Sequence, residues 1–142
     1  MSETLALDGR CLCGAVGVHA SRASRHFGAC HCKMCRQWGG GPYLAFEAGA
    51  DVSFDGEEHI SVYDSSPWAE RGFCRQCGSH LFYRIKQGPI YMLPPGLFDD
   101  DAGFVFGRQV FVDRNPGYYR FANETDEMTE AEVFAKYAPP ES

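Results

Sequence analysis

Cys30-His31-Cys32-Lys33-Met34-Cys35 packs three sulfurs into six residues, and two more tight pairs flank it: Cys11-Leu12-Cys13 upstream and Cys74-Arg75-Gln76-Cys77 downstream. Spacing of this kind lets several sulfurs converge on one metal ion, and thiolates so arranged suit zinc. The chain has seven cysteines, which divide into one closed set of four and one open set of three. A closed four-thiolate set ties strands together and contributes to folding outright. The open set is where function is to be sought.

Local geometry favours these pairs as ligands. In Cys74-Arg75-Gln76-Cys77-Gly78 the glycine can take the left-handed conformation that closes a C-x-x-C knuckle without steric cost. Cys11 and Cys13, if placed on a strand, would project to the same face, with Gly14 turning the chain away. Spacing alone does not say which pairs meet. The commonest arrangement would join Cys32 and Cys35 to Cys74 and Cys77 and leave Cys11, Cys13 and Cys30 over.

Outward from the cysteines, the chain reads as short strands joined by turns. Val16 and Val18 alternate with Gly17 and His19, and His26 to Ala29 leads as an extended segment into the central cluster. Runs at Pro42 to Glu47, Val52 to Phe54 and Ile60 to Tyr63 are bounded by Gly39-Gly40-Gly41, Asp55-Gly56 and Asp64-Ser65-Ser66-Pro67, which predicts hairpins of an antiparallel sheet. Leu81 to Ile85 and Ile90 to Leu93 flank Gln87-Gly88-Pro89 as a further hairpin, and Gln109 to Val112 adds a late strand. The one good helix signal lies near the end. Thr129 and Glu132 have the form of a capping box, with Val133, Phe134 and Tyr137 on one face and Pro139 as a stop.

The 142 residues, 44% hydrophobic and 14% aromatic, predict a single domain over residues 1–142 with a sizeable core. Met1 to Arg10 lacks a basic region followed by an apolar stretch, and no apolar run approaches the roughly 18 residues of a membrane helix. The expectation is a soluble, cytoplasmic protein with no membrane partner. An odd number of cysteines in a reducing compartment favours metal-bound thiolates over disulfides. The formal charge of −6, made more negative by seven coordinated thiolates, argues against nucleic acid as a partner. Arg22, Arg25, Lys33 and Arg36 nonetheless cluster about the central cysteines, where they could attract a small anion.

Taken in order, residues 9–16 (GRCLCGAV), 30–46 (CHCKMCRQWGGGPYLAF) and 65–84 (SSPWAERGFCRQCGSHLFYR) resemble the glutathione-dependent formaldehyde-activating enzyme family, which also includes centromere protein V. The match runs from Gly9 to about Ala122. The resemblance implies a mainly β fold, an antiparallel β-tent stapled by zinc. It also implies two zinc ions per chain: a structural one on Cys11, Cys13, Cys74 and Cys77, and a catalytic one on Cys30, Cys32 and Cys35. The chain differs from many relatives at Pro95-Gly96-Leu97-Phe98-Asp99-Asp100-Asp101, where they carry Gly-x-Leu-Asp-Asp-Pro, and at Pro116-Gly117-Tyr118-Tyr119, where a Trp is usual.

Three protein thiolates and an open fourth position suit an incoming sulfur. Such a centre is a weaker Lewis acid than a three-histidine site and prefers soft ligands. The expected function is a carbon-sulfur lyase-type enzyme, similar to S-(hydroxymethyl)glutathione synthase, that joins the thiol of glutathione to a small aldehyde such as formaldehyde or reverses that reaction. Lys33 and Arg36 are candidate partners for the substrate carboxylates. Gly39-Gly40-Gly41 could admit a peptide backbone or simply turn the chain. His31 should point away from the metal if Cys30 and Cys32 share a face; His80, Trp38, Tyr43 and Phe46 are given packing roles. Two alternatives compete with the enzyme: a non-catalytic zinc domain that binds a protein partner, and a redox switch built on Cys30, Cys32 and Cys35.

Overall fold

A computed structural model describes residues 5–137. They form two compact units, the first from residues 5–25 and 45–104 and the second from residues 26–44 and 105–137. Strands dominate the first, as the strand-and-turn pattern predicts, and the second mixes strands with two helices.

In the first unit, β1 (Leu5–Arg10), β2 (Gly17–Ala23) and β5 (Val52–Asp55) form a three-stranded antiparallel sheet in the order β1-β2-β5. A second antiparallel set runs through β4 (Tyr43–Gly49), which enters this unit at Ala45, then β9 (Ile90–Leu93), β8 (His80–Ile85), β7 (Ala69–Cys74) and β6 (Ile60–Tyr63). The apolar alternation seen in the sequence faces inward. Val16, Val18, Ala20, Phe46, Leu81 and Leu93 are all at most 1% exposed, and Phe46 packs its ring on Phe98 and Phe104.

The second unit carries β3 (His26–Cys30), α1 (Lys33–Gly39), β10 (Val105–Val110), β11 (Asp126–Met128) and α2 (Glu130–Tyr137). Here β10 runs parallel to both β3 and β11, a departure from the antiparallel pattern of the first unit. Parallel pairing needs a crossover of a dozen or more residues, and the long stretch between β3 and β10 supplies one. Phe27 stacks on Phe106 with centroids 5.3 Å apart, and Phe121 meets Phe106 edge-on at 4.9 Å. Helix α2 opens with the capping box foreseen: Thr129 N–H donates to Glu132 Oε1 at 2.8 Å, and Glu132 N–H donates to Thr129 Oγ1 at 3.3 Å. Phe134 meets Phe111 edge-on, and Pro139 lies outside the described residues.

Three local expectations are corrected. The runs that became β4, β5 and β6 do not form hairpins with one another: β4 pairs with β9, β5 with β2, and β6 with β7. β4 and β5 pair with strands distant along the chain, as where Val18 opposes Phe54, whereas β6 pairs with the next strand. Cys11 and Cys13 lie on the turn between β1 and β2, not on a strand, because Gly14 N–H donates to the Cys11 carbonyl and Cys11 N–H to the Val16 carbonyl, both at 3.0 Å. Residues 33–39 form a helix although the one good helix signal lay near the end of the chain. Of the hairpins, β8-β9 forms as expected. Neither described helix is long and apolar enough to cross a membrane.

Candidate metal centres

In the first unit two turns face each other. The Cys74–Cys77 turn closes with Gly78 N–H donating to the Cys74 carbonyl at 2.7 Å, and Gly78 sits at φ 81°, the left-handed conformation the sequence anticipated. Ser79 couples this turn to the other one. Its hydroxyl accepts from Leu12 N–H at 3.0 Å and lies 3.2 Å from Cys77 Sγ, while its carbonyl accepts from Cys74 N–H at 2.9 Å. The ligand atoms of Cys11, Cys13, Cys74 and Cys77 all lie within 4.8 Å of one another.

Finer distances speak to the kind of ion. Four sulfurs about 2.3 Å from a common centre in a tetrahedron stand about 3.8 Å apart. Cys11 Sγ to Cys13 Sγ is 3.7 Å, and Cys13 Sγ to Cys74 Sγ is 3.8 Å. Cys11 and Cys74 are at most 1% exposed, so the group is sealed on one side. Bringing the thiols this close separates their acidities. Ser79's hydroxyl and backbone pull Cys77 down to about 5, whereas Cys13, despite a backbone hydrogen bond from Ala15, is pushed up to about 11 by desolvation and by the Cys11, Cys77 and Cys74 sulfurs. A dication among them removes that conflict, because coordination deprotonates a thiol outright. The donor set fits a tetrahedral metal.

The second unit holds the other group. Cys30 ends β3, Cys32 caps α1 and Cys35 lies one turn into that helix, and their sulfurs fall within 4.8 Å of one another. Cys32 is extended, at φ −65° and ψ 158°, and its Sγ accepts from Cys35 N–H at 3.4 Å. The cap therefore turns Cys32 and Cys35 toward one side. Gly40, at φ 87°, ends the helix by donating to the Arg36 carbonyl at 2.7 Å, so the glycine run serves as a C-cap. Cys35 is buried, while Cys30 and Cys32 are half-buried. Crowding by Cys32 and Cys35 pushes the Cys30 thiol far up; three thiolates cannot share this space without a cation.

The structure thus groups the seven cysteines four and three, in the partition implied by the resemblance and not the commoner one that spacing left open. Arg36 and Lys33 both lie on α1, and Arg36 Nε donates to the His31 carbonyl at 2.9 Å. His31 turns its ring toward Tyr119 and Gln109, with no atom among the sulfurs. Burial, with help from the charge on Arg71, holds the pKa of His80 below its ordinary value. Trp38 and Tyr43 have rings 5.6 Å apart in the second unit, but Phe46 belongs to the core of the first.

Two contributors escaped the sequence. Ser79 could have been suspected from its place after the Cys77-Gly78 knuckle. Tyr119, in the segment where the chain departs from its relatives, places its hydroxyl 2.6 Å from His31 Nδ1. Burial raises its pKa, Arg36 opposes the rise, and Tyr118, Cys30 and Cys35 add to it.

A family model described as glutathione-dependent formaldehyde-activating enzyme matches residues 6–114. The chain belongs to this family. Within the glutathione-dependent formaldehyde-activating enzymes and their kin, it is 35% identical over 127 residues to a Schizosaccharomyces pombe protein named an uncharacterized lyase, covering 89% of this chain and 93% of that one. A Halomonas elongata protein whose name carries the words glutathione-dependent formaldehyde-activating enzyme is 34% identical over 98 residues, 62% of each chain. Among solved structures, a Rhodobacter sphaeroides protein superposes with a TM-score of 0.55 at 24% identity, over 66% of this chain and 89% of its own. That likeness is one of fold.

Proposed function

We propose that the protein is a zinc-dependent carbon-sulfur lyase-type enzyme that adds the thiol of glutathione to formaldehyde, or a comparably small aldehyde, and catalyses the reverse cleavage. The observation that carries this is the division of the sulfurs into a set of four and a set of three, in a chain of this family. The names of the two relatives, a lyase and a glutathione-dependent formaldehyde-activating enzyme, support the same reaction class.

Cys11, Cys13, Cys74 and Cys77 would hold a structural zinc, and their near-tetrahedral spacing supports that role. Cys30, Cys32 and Cys35 would hold the catalytic zinc, with a fourth position for substrate. When bound there, zinc supplies a soft positive centre that favours the thiolate form of an incoming thiol, whose free pKa lies near 8.5. Arg36 is steered by its Nε bond to the His31 carbonyl, which leaves its terminal nitrogens as the pair suited to a glutathione carboxylate; Lys33, one turn away on the same helix, can take a second one. In the forward reaction the sulfur-carbon bond forms as the carbonyl π bond opens, and the thiol's proton ends on the new hydroxyl. The chain's share of catalysis is to bring the two reactants together in a fixed orientation. Seven reduced thiols suit the reducing cytoplasm.

Calorimetric titration of the zinc-loaded protein with glutathione tests this, with S-methylglutathione and a Cys35→Ser variant as controls, followed by a formaldehyde-adduct rate assay. Saturable binding that needs both the free thiol and Cys35, and a catalysed adduct rate, are expected. No binding by glutathione or any other common cellular thiol would refute the mechanism.

A further inference from the structure

His31 stands between two sulfurs of the three-cysteine group, yet it gives that group no ligand atom. It is fully buried, at 0% exposure, and a buried imidazole is costly unless its nitrogens are satisfied. Both are. Nε2 lies 2.7 Å from Gln109 Oε1, and Nδ1 lies 2.6 Å from the Tyr119 hydroxyl. The Gln109 amide nitrogen donates to Thr125 Oγ1 at 3.0 Å, so Gln109 Oε1 is an acceptor and the imidazole proton belongs on Nε2. Nδ1 then accepts from the Tyr119 hydroxyl. Every polar atom in this chain of contacts has one consistent role.

The main chain of residue 31 is held as firmly. His31 N–H donates to the Val110 carbonyl at 3.2 Å, and its carbonyl accepts from Arg36 Nε at 2.9 Å. The peptides so held are those that carry Cys30 and Cys32. A ring locked by β10 and by the Tyr119 segment therefore fixes the backbone from which two of the three sulfurs project. Partners outside the ligand set commonly tune a metal site in this way.

We propose that His31 is the positioning residue of the three-cysteine centre: keyed by Gln109 and Tyr119, with Thr125 orienting Gln109, it holds Cys30 and Cys32 in the geometry that converges with Cys35, and so sets that centre's affinity for zinc without touching the ion. This rests on the reading that the three cysteines bind zinc. It gives a role to the one histidine inside the cysteine motif and adds three residues, Gln109, Tyr119 and Thr125, that the motif does not contain.

Competition between the zinc-loaded full chain and a chromophoric chelator tests it, using wild type, Tyr119→Phe, His31→Phe and the double variant. Tyr119→Phe removes one hydroxyl from a half-buried position and leaves the ring contacts with His31 and Phe121 in place. The four-cysteine centre serves as the internal control for folding. Tyr119→Phe should weaken the second zinc by about tenfold or more and His31→Phe by at least as much, with the first zinc within about twofold in both. Because Tyr119 acts through His31, the double variant should bind no more weakly than His31→Phe alone. In cobalt-substituted protein, the sulfur-to-metal charge-transfer band of the second equivalent should change in both single variants. Second-site affinity within about twofold of wild type, equal weakening at both centres, or additive losses in the double variant would each overturn the inference. A wild-type chain that takes two zinc ions, loses the second in these variants and ignores glutathione would sink the proposed reaction while leaving the positioning role standing.

Discussion

Replacing Gly9 with alanine tests how tightly the sheet and the four-cysteine centre are joined. Gly9 lies on β1 two residues before Cys11, opposite Val18, and bridges to Phe98. A methyl group there would sit 2.2 Å from the Leu97 carbonyl oxygen, 2.7 Å from its carbon and 2.8 Å from Phe98 Cα. All three are backbone atoms, so no side chain can swing aside. To restore even a 3.0 Å approach, β1 and the 97–98 segment must part by at least about 0.8 Å, a typical overpacking strain. Two links span that gap: Asp99 N–H to the Asp8 carbonyl at 3.1 Å, and Arg10 to Asp99 at 2.9 Å. Overpacking of this kind costs about 1–3 kcal/mol. For a chain of this size, about 2 kcal/mol corresponds to a fall in Tm of about 4–8 °C. Because Cys11 lies two residues further on, chelator competition should also show weaker zinc binding at the four-cysteine centre. Thermal unfolding of the zinc-loaded Gly9→Ala variant within about 1 °C of wild type, with unchanged zinc affinity, would refute the coupling.

Further outcomes are expected from simpler perturbations. Cys35→Ser should retain one zinc per chain and a cooperative unfolding transition while losing glutathione binding. Cys74→Ser, at a site with 0% exposure, should lose more than about 4 kcal/mol of stability; metal analysis and denaturant unfolding of the pair separate the two roles. His19 bridges Asp8 and Asp55 at 2.7 Å each, and these hydrogen bonds, Asp8's first, raise its pKa against a small opposing effect of burial. A raised folded-state pKa means stability fully present below the ordinary value of about 6.5 and lost as pH rises through the folded value. Since these side chains are well exposed, the stability gap between wild type and His19→Gln should be below about 1 kcal/mol near pH 6. It should shrink on going alkaline, and a gap that grows instead reverses the assignment. Thr129→Ala removes one arm of the capping box and should cost about 1 kcal/mol, read as faster amide exchange along α2.

The grouping of the cysteines illustrates how tertiary pairing, more than local spacing, decides which sulfurs meet. As alternate residues of an extended strand, Cys11 and Cys13 would project to one face with their Cα atoms about 6.6 Å apart. The β1-β2 turn brings their sulfurs to 3.7 Å. Ser79 then ties that turn to the Cys74–Cys77 knuckle through Leu12 N–H. Each unit thereby carries one cysteine group, and each group draws on residues close to its own strands.

Residue types and local devices follow from the order of amino acids alone. Cysteine identity fixes the ligand chemistry, Gly78 permits its knuckle, Thr129 and Glu132 write their own cap, and the apolar runs at residues 81–85 and 90–93 pair across a short turn. These depend on atoms only a few positions apart. Folding in three dimensions settles which cysteines come together, that β10 lies parallel to β3, and that β4, β5 and β6 do not pair with one another. Helix α1 hid for a related reason. Cys32 to Cys35 satisfies both a metal-knuckle pattern and a capped helical turn, and the Cys32 Sγ bond to Cys35 N–H together with the Gly40 C-cap chooses the helix. The link between His31, Gln109 and Tyr119 spans 78 and 88 residues of chain. No periodicity or motif carries such a contact, because it exists only once folding has brought distant polar groups together and buried them, where each must find a partner.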